Sequence, residues 1–311
     1  MANDARVTVL AGGVGGAKLA HGMELAEADL TVVVNTADDV ELHGLAISPD
    51  LDTVTYTLAG LADDVRGWGL AGETYVTLDA MRRLGEDTWF TLGDKDLATH
   101  VVRTARLRAG ATLTEVTAQI TASLGVRSRL LPMTDDLVAT VVETADGPLG
   151  FQEYFVARQH RDEVLGLTFV GAEQAAPAPG VLDAVSGADL LVVAPSNPFL
   201  SIAPVLAVPG VRDALASSTA RRVAVSPIIG GRALKGPAAS VLASLGHDVS
   251  ALGVARLYVG LVDVMCIDET DRDLAPAIEA LGLEVLVTDT VMGGAEGRER
   301  LARELLATAS A

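Results

Sequence analysis

The run Val7-Thr8-Val9-Leu10 leads straight into Gly12-Gly13-Val14-Gly15-Gly16, and a helical pattern carrying Leu19 and Met23 follows from about Ala17. A second apolar, β-branched run, Thr31-Val32-Val33-Val34, closes the unit. Strand, glycine turn, helix and strand in this order make a right-handed βαβ crossover, which commits the chain to a parallel sheet. The same alternation returns beyond Gly180, with strands expected at Leu190–Val193, Val223–Val225, Val262–Ile267 and Glu284–Val287. These predict an α/β fold built on a doubly wound, mostly parallel Rossmann-like sheet of about six strands. Half the residues are hydrophobic but only 4% are aromatic. The core is therefore mainly Ala, Val and Leu, which suits strands covered by helices on both faces.

The middle of the chain departs from this pattern. Four short helices are expected between about 53 and 125. One starts at Asp52 or Thr53, one lies in TYVTLDAMRRLG, and one runs from about Leu97 to Arg108. The fourth is opened by the capping box Thr112–Glu115 and ended by Gly125. From about 127 to 170 the period changes to two, with strands at Leu137–Val142 and Phe151–Phe155 flanking Asp146-Gly147, and another at Leu165–Val170. The expectation is one α/β domain over residues 1–311, interrupted by a helical insert and a β-hairpin region.

A net charge of −18 argues against nucleic acid or an anionic membrane as partner. No apolar stretch approaches the ~20 residues of a membrane span, and the N-terminal residues lack the pattern of a signal peptide. A cytoplasmic location is expected, and the size and hydrophobicity are compatible with a homodimer. The single cysteine, Cys266, lies in the apolar run VDVMCID and reads as a buried strand thiol.

In an open parallel sheet, ligands bind beyond the carboxyl ends of the strands. The glycine turn follows the first strand and offers amide donors to an anion. It fits neither standard phosphate motif. Counting from Gly13, the sixth position of a dinucleotide fingerprint holds Lys18, and Ala17 and Leu19 exclude a Walker loop. The second strand leads into Asp38, Asp39, Glu41, Asp50 and Asp52, an acidic stretch that invites a cation. Pro195-Ser196-Asn197-Pro198 follows the strand at 190–193, and Ser226-Pro227-Ile228-Ile229-Gly230-Gly231 the strand at 223–225. Of the five histidines, only His43, inside the acidic stretch, stands near candidate chemistry. Trp68 and Trp89 read as core residues, with stacking on a flat ligand ring as the alternative.

NTADD, GLAISPDLDT, LGDKDLATH, LPMTDD, PSNP and SPIIGG with KGPAA occur in this order along the chain. In this the sequence resembles the 2-phospholactate transferase (CofD-like) family of coenzyme F-420 biosynthesis, over essentially its whole length. The resemblance implies transfer of a phospholactyl or phosphoenolpyruvyl group from a guanosine diphosphate-linked donor to the side-chain hydroxyl of the deazaflavin Fo, with release of GMP. It implies Mg²⁺ at Asp38 and Asp52, and acceptor contacts from Asp52 and Lys95, the two residues expected to be catalytic. Gly12, Gly13, Gly15, Ser196, Asn197, Gly230 and Gly231 would hold the donor. The turn VGGAK departs from many relatives, which leaves Lys18 without an assigned role. A non-catalytic, nucleotide-sugar-binding regulator of the same fold is the alternative reading.

Overall fold

A computed structural model describes residues 5–310. The chain opens with β1 (Arg6–Ala11), α1 (Gly13–Leu25) and β2 (Asp29–Val34). A short hairpin follows, β3 (Val40–Leu42) and β4 (Leu45–Ile47), then helices α2 (Pro49–Leu58), α3 (Val76–Arg83), α4 (Asp94–Arg108) and α5 (Leu113–Ser123). Next come β5 (Arg129–Pro132), β6 (Ala139–Thr144), β7 (Gly147–Gly150) and β8 (Gly166–Val170). The C-terminal half supplies β9 (Leu190–Val193), β10 (Arg221–Val225), the hairpin β11 (Ile228–Ile229) and β12 (Arg232–Ala233), β13 (Val264–Asp268) and β14 (Glu284–Thr288). Helices alternate with these strands, and the last long one is Gly294–Ala307.

Seven strands form the central sheet in the order β14-β13-β10-β9-β1-β2-β5, and every neighbouring pair is parallel. The chain builds outward from β1 through β2 to β5, returns to β9 beside β1, and builds outward the other way. The order therefore reverses between β1 and β9, the crevice where open α/β sheets bind ligands. Both faces are covered. Val7, Val9 and Ala11 point to one core with Leu19, Met23, Leu301 and Leu305, while Leu10 points to the opposite one with Val181 and Leu215. A strand whose successive residues both meet a core is largely apolar, and the buried exception in β1, Thr8, donates its hydroxyl to the Ala184 carbonyl at 2.8 Å.

The six expected strands are present, and a seventh, β5, joins them at the edge. Its Arg-Leu-Leu-Pro sequence lacks a strand's usual signature because it ends in proline. Pro132 pairs only with Val34 of β2, so its missing N–H leaves no ladder partner unsatisfied. Phe151–Phe155, expected to be extended, is instead the core of a helical stretch at 151–157, with Glu153–Ala157 wound as a π-helix. Apolar residues at 151, 154 and 155 fit a helical face equally well. The Phe151 and Phe155 rings stack at 5.4 Å, and Tyr154 is buried. The hairpin β6–β7 turns at Ala145-Asp146, one residue earlier than expected, and β6 pairs with both β7 and β8 in a separate antiparallel sheet.

Four helices do lie between the second strand and β5, but α2 is part of the main layer. Leu51, Val54 and Leu58 join the core beneath α1 and helix 294–307, so the insert proper begins after α2. The capping box forms as expected: Thr112 Oγ1 accepts the Glu115 N–H at 3.2 Å and Glu115 Oε2 accepts the Thr112 N–H at 2.9 Å. Thr112→Ala is expected to cost about 1 kcal/mol, read as a lower urea midpoint at unchanged slope. No single helix among the described residues is long and apolar enough to cross a membrane.

Candidate functional site

A cleft of about 610 Å³ opens at the β1/β9 crossover. Its floor is the glycine turn, which lies closer to the helix than the sequence suggests: α1 begins at Gly13, not near Ala17. Gly13 adopts φ +63°, the left-handed region that glycine tolerates. Space is as restrictive as torsion here. A Cβ on Gly15 would lie 2.3 Å from the Pro195 carbonyl oxygen, and one on Gly12 would lie 2.5 Å from Asp50 Oδ2. Ser196 locks the two loops together, its Oγ accepting the Gly12 N–H at 3.2 Å and donating to the Gly12 carbonyl at 2.7 Å. Asn197 Oδ1 accepts the N–H groups of Phe199 and Leu200, while its buried Nδ2 has no partner. An unpaired buried donor lining a cleft is a group waiting for an acceptor. Gly12, Gly13, Gly15, Ser196 and Asn197 thus meet in one place, whereas Lys18 does not line the cleft.

Beside this turn sits a pair of buried carboxylates. The Asn35 amide donates to Asp38 Oδ2 and to Asp50 Oδ2, each at 3.0 Å, so one nitrogen bridges two anions. Asp50 Oδ1 accepts the Gly13 N–H at 2.8 Å, and Asp38 Oδ1 is buried without a partner. Burial, reinforced by the charge of Asp50, pushes the Asp38 carboxyl well above the usual carboxylate range. Burial likewise lifts Asp50 to about 6, against the opposing bonds from Asn35 and Gly13. Two acids that resist ionisation side by side, with an oxygen unused, fit a divalent cation. Glu41 is exposed, as a solvated-loop residue should be, and Asp39 is tied to the Ser48 hydroxyl at 2.7 Å.

Asp52, expected beside Asp38 as a metal ligand, has a different cation. Arg103 of α4 grips both its oxygens, Nη1 to Oδ2 at 3.0 Å and Nη2 to Oδ1. The guanidinium already supplies the charge a metal would bring to Asp52, and Asp50 is the carboxyl that shares the Asn35 amide with Asp38. Arg103, to which the sequence alone assigns no role, is only 3% exposed. His100, expected to be an uninvolved helix residue, is buried between Asp52 and Asp96 at 3.7 and 3.4 Å. Tyr56 donates to Asp96 at 2.6 Å. Asp96, His100 and Arg103 fall at i, i+4 and i+7, one face of α4, and that spacing is the signal in the sequence that could have found them.

Lys95 is exposed and outside the cleft, its Nζ donating to the Ala71 carbonyl at 2.8 Å. LGDKD is the N-terminus of α4, and on a helix consecutive residues face different ways, so Asp96 lines the cleft and Lys95 does not. Gly230 and Gly231 are also displaced from the cleft. They form the turn of the β11–β12 hairpin, where the Gly230 N–H donates to Asp271 at 3.0 Å, and the cleft is lined instead by Pro227 and residues 235–238. His43 sits at the β3–β4 turn, 3.9 Å from Glu86. Trp68 is not core: it is 45% exposed and lines the cleft mouth with Phe90, Phe151 and Phe155. Trp89 is half-buried and meets Phe90 edge to face. Cys266 is buried in β13, and burial pushes its thiol up to about 12, which removes it as a nucleophile.

The cleft thus has an amide-rich floor, an acidic pair beside it, and a mixed aromatic and acidic wall. A family model described as 2-phospho-L-lactate transferase CofD matches residues 7–304. A protein named phosphoenolpyruvate transferase from Streptomyces griseus subsp. griseus is 44% identical over 97% of each chain. A 2-phospho-L-lactate transferase from Methanosarcina mazei is 40% identical over 94% of this chain and 97% of its own. Among solved structures, a member of the UPF0052 family from Bacillus halodurans superposes with a TM-score of 0.64 at 16% identity, over 97% of this chain and 99% of its own, a likeness of fold. With the family match running from β1 into the last long helix, the chain belongs to the 2-phospho-L-lactate transferase CofD family.

Proposed function

We propose that the protein transfers a phospholactyl or phosphoenolpyruvyl group from a guanosine diphosphate-linked donor to the side-chain hydroxyl of the deazaflavin Fo, releasing GMP, as a step of coenzyme F-420 formation. The observation that carries this reading is the division of one cleft into two chemically distinct ends. At the β1/β9 end, the first-turn N–H groups of Val14 and Gly15, beyond those of Gly12 and Gly13 that Ser196 and Asp50 take, and the unpaired Nδ2 of Asn197 suit an anionic nucleotide. At the other end, Trp68, Phe90 and Phe155 suit a flat ring system, and Asp52 and Asp96 suit a hydroxyl. A regulator that only binds nucleotide-sugars has less support, since the relatives at 40–44% identity are named transferases.

The acceptor oxygen forms a bond to the donor's β-phosphorus as the bond from that phosphorus to the bridging oxygen breaks. GMP leaves with the bridging oxygen, and the hydroxyl proton passes to a cleft carboxylate. Asp52, fixed by Arg103, is the residue we assign to receive the hydroxyl. Asp38 and Asp50 would hold Mg²⁺, which supplies charge neutralisation for a diphosphate when bound. Lys95, on the exposed side of α4, has no role in this scheme.

The test combines the protein with Mg²⁺, Fo and each of the two guanosine donors, following GMP release and product mass. Asp52→Asn is expected to lower kcat about 100-fold. Turnover near that of the wild type in this variant would sink the assignment of Asp52. UDP-sugar binding with no interaction with Fo would favour the regulator.

A further inference from the structure

Asp52, Asp96 and His100 bring donor atoms within 4.8 Å of one another, the spacing of a metal site. The arginine behind them argues for a different use. Arg103 does not line the cleft, whereas Asp52, Tyr56, Asp96 and His100 all do. Its fork closes on both oxygens of Asp52, and the same Nη1 lies 3.2 Å from His100 Nδ1 and 3.4 Å from the Ala46 carbonyl. A guanidinium can only donate, so His100 Nδ1 must accept and the ring proton must sit on Nε2. That Nε2 faces Asp96 Oδ1 at 3.4 Å without closing a hydrogen bond, and the same oxygen accepts the Tyr56 hydroxyl at 2.6 Å. One buried cation thereby holds both Asp52 and the His100 ring, and turns the Nε2–H of that ring toward Asp96.

We infer that Arg103 is a positioning residue for the transfer: from behind the cleft wall it fixes the plane of Asp52 and the orientation and tautomer of His100, so that the carboxylate meets the acceptor hydroxyl in a preset geometry. This rests on the reading of Asp52 as the acceptor-side residue. Arginine is suited to the task because its planar fork sets the plane of a carboxylate as well as its charge, which an ammonium or a hydrated metal ion does not. The site has no room for both cations. A divalent ion on Asp52 and His100 would share its ligands with the guanidinium at contact distance.

The experiment compares full-length wild type with Arg103→Met, Arg103→Lys, Asp52→Asn and the double variant Asp52→Asn/Arg103→Met, with donor and acceptor each varied at saturation of the other. Arg103→Met is expected to lower kcat about 100-fold, the cost typical of a misplaced group, with KM for the donor unchanged. Arg103→Lys, which keeps the charge and loses the fork, should recover about tenfold of that loss. Because Arg103 acts through Asp52, the double variant is expected to match Asp52→Asn within about threefold instead of multiplying the two losses. Being neutral at both positions, it also keeps the test open if Arg103→Met folds poorly. A second readout is the ¹⁵N spectrum of the His100 ring, which should report the Nε2–H tautomer in the wild type and lose it in Arg103→Met. Wild-type-like kcat in Arg103→Met, multiplicative losses in the double variant, or an unchanged His100 spectrum would each overturn the inference. If the wild type releases no GMP from either donor, the transfer reading has failed, and the tautomer signal alone decides whether Arg103 orders the His100 ring.

Discussion

Replacing Asp38 with asparagine is expected to yield a protein that is more stable without divalent cations yet turns over about 1,000-fold more slowly. Both effects come from the amide bridge. Asn35 Nδ2 gives one N–H to each of Asp38 and Asp50, which holds two buried carboxyls side by side while Asp38 Oδ1 has no donor. Each unit by which folding raises a carboxyl pKa costs about 1.4 kcal/mol once the group ionises. Asp50 is raised from 3.8 to about 6. A raised carboxyl contributes stability that is fully present below its unfolded pKa of 3.8 and is lost as the pH climbs through the folded value. The cation-free wild type should therefore lose stability from about pH 4 to above pH 6, with Asp38 extending the loss, because it too is raised. Asp38→Asn removes one of the two charges and keeps an oxygen to accept the Asn35 N–H. Release of about 1 kcal/mol, about 2 °C in Tm, is expected at pH 7.5. Mg²⁺ should raise the melting temperature of the wild type at pH 8 far more than at pH 5, where protons occupy the pair, and should leave Asp38→Asn nearly unchanged. A normal Mg²⁺ response in that variant would remove Asp38 from the cation site.

The parts of this site that the sequence discloses are those dictated by backbone chemistry. Gly12, Gly13 and Gly15 stand where no side chain fits, and Ser196-Asn197 follows a strand that the hydrophobic pattern alone locates. Their meeting follows from the reversal of strand order between β1 and β9. What the sequence hides is side-chain direction within segments that read as loops. Asp50 and Asp52 lie in the first turn of α2, two residues apart and so about 200° apart around the helix. One turns to the glycine floor and the other to Arg103. An acidic run read as a loop cannot show that separation. Lys95 and Asp96 exchange roles for the same reason, since α4 starts at Asp94 and not near Leu97. Arg103 was hidden by its type: in a chain with so many surface charges, an arginine is read as solvated unless its buried partner is known, and Asp52 lies 51 residues away in sequence. The Gly230-Gly231 pair shows the converse error. Its positive φ values serve a hairpin turn, and a glycine needed for a turn carries the same signature as one needed for a ligand.

Gly15→Ala separates these two uses of glycine, and its effect should be large. Gly15 has no positive φ among the described glycines, so torsion does not demand it; proximity does. The added Cβ would meet the Pro195 carbonyl oxygen at 2.3 Å, backbone against backbone, where no side chain can rotate away. Either the first turn of α1 or the loop after β9 must move, and the reciprocal bonds between Ser196 and Gly12 couple the two. Overpacking of this kind costs about 1–3 kcal/mol. The functional loss should exceed what the stability loss alone explains, because the displaced amides are those assigned to the donor's phosphates. A shift of about 1 Å in such groups is worth about 100-fold, expected here as a rise in KM for the guanosine donor with KM for Fo little changed. Gly60→Ala is the control. Its φ is +69° and nothing lies within 4 Å of the added carbon, so it should lose about 1 kcal/mol to backbone strain and leave donor affinity intact. Donor binding by Gly15→Ala as tight as that of the control would mean that the glycine turn packs the crossover without touching the nucleotide.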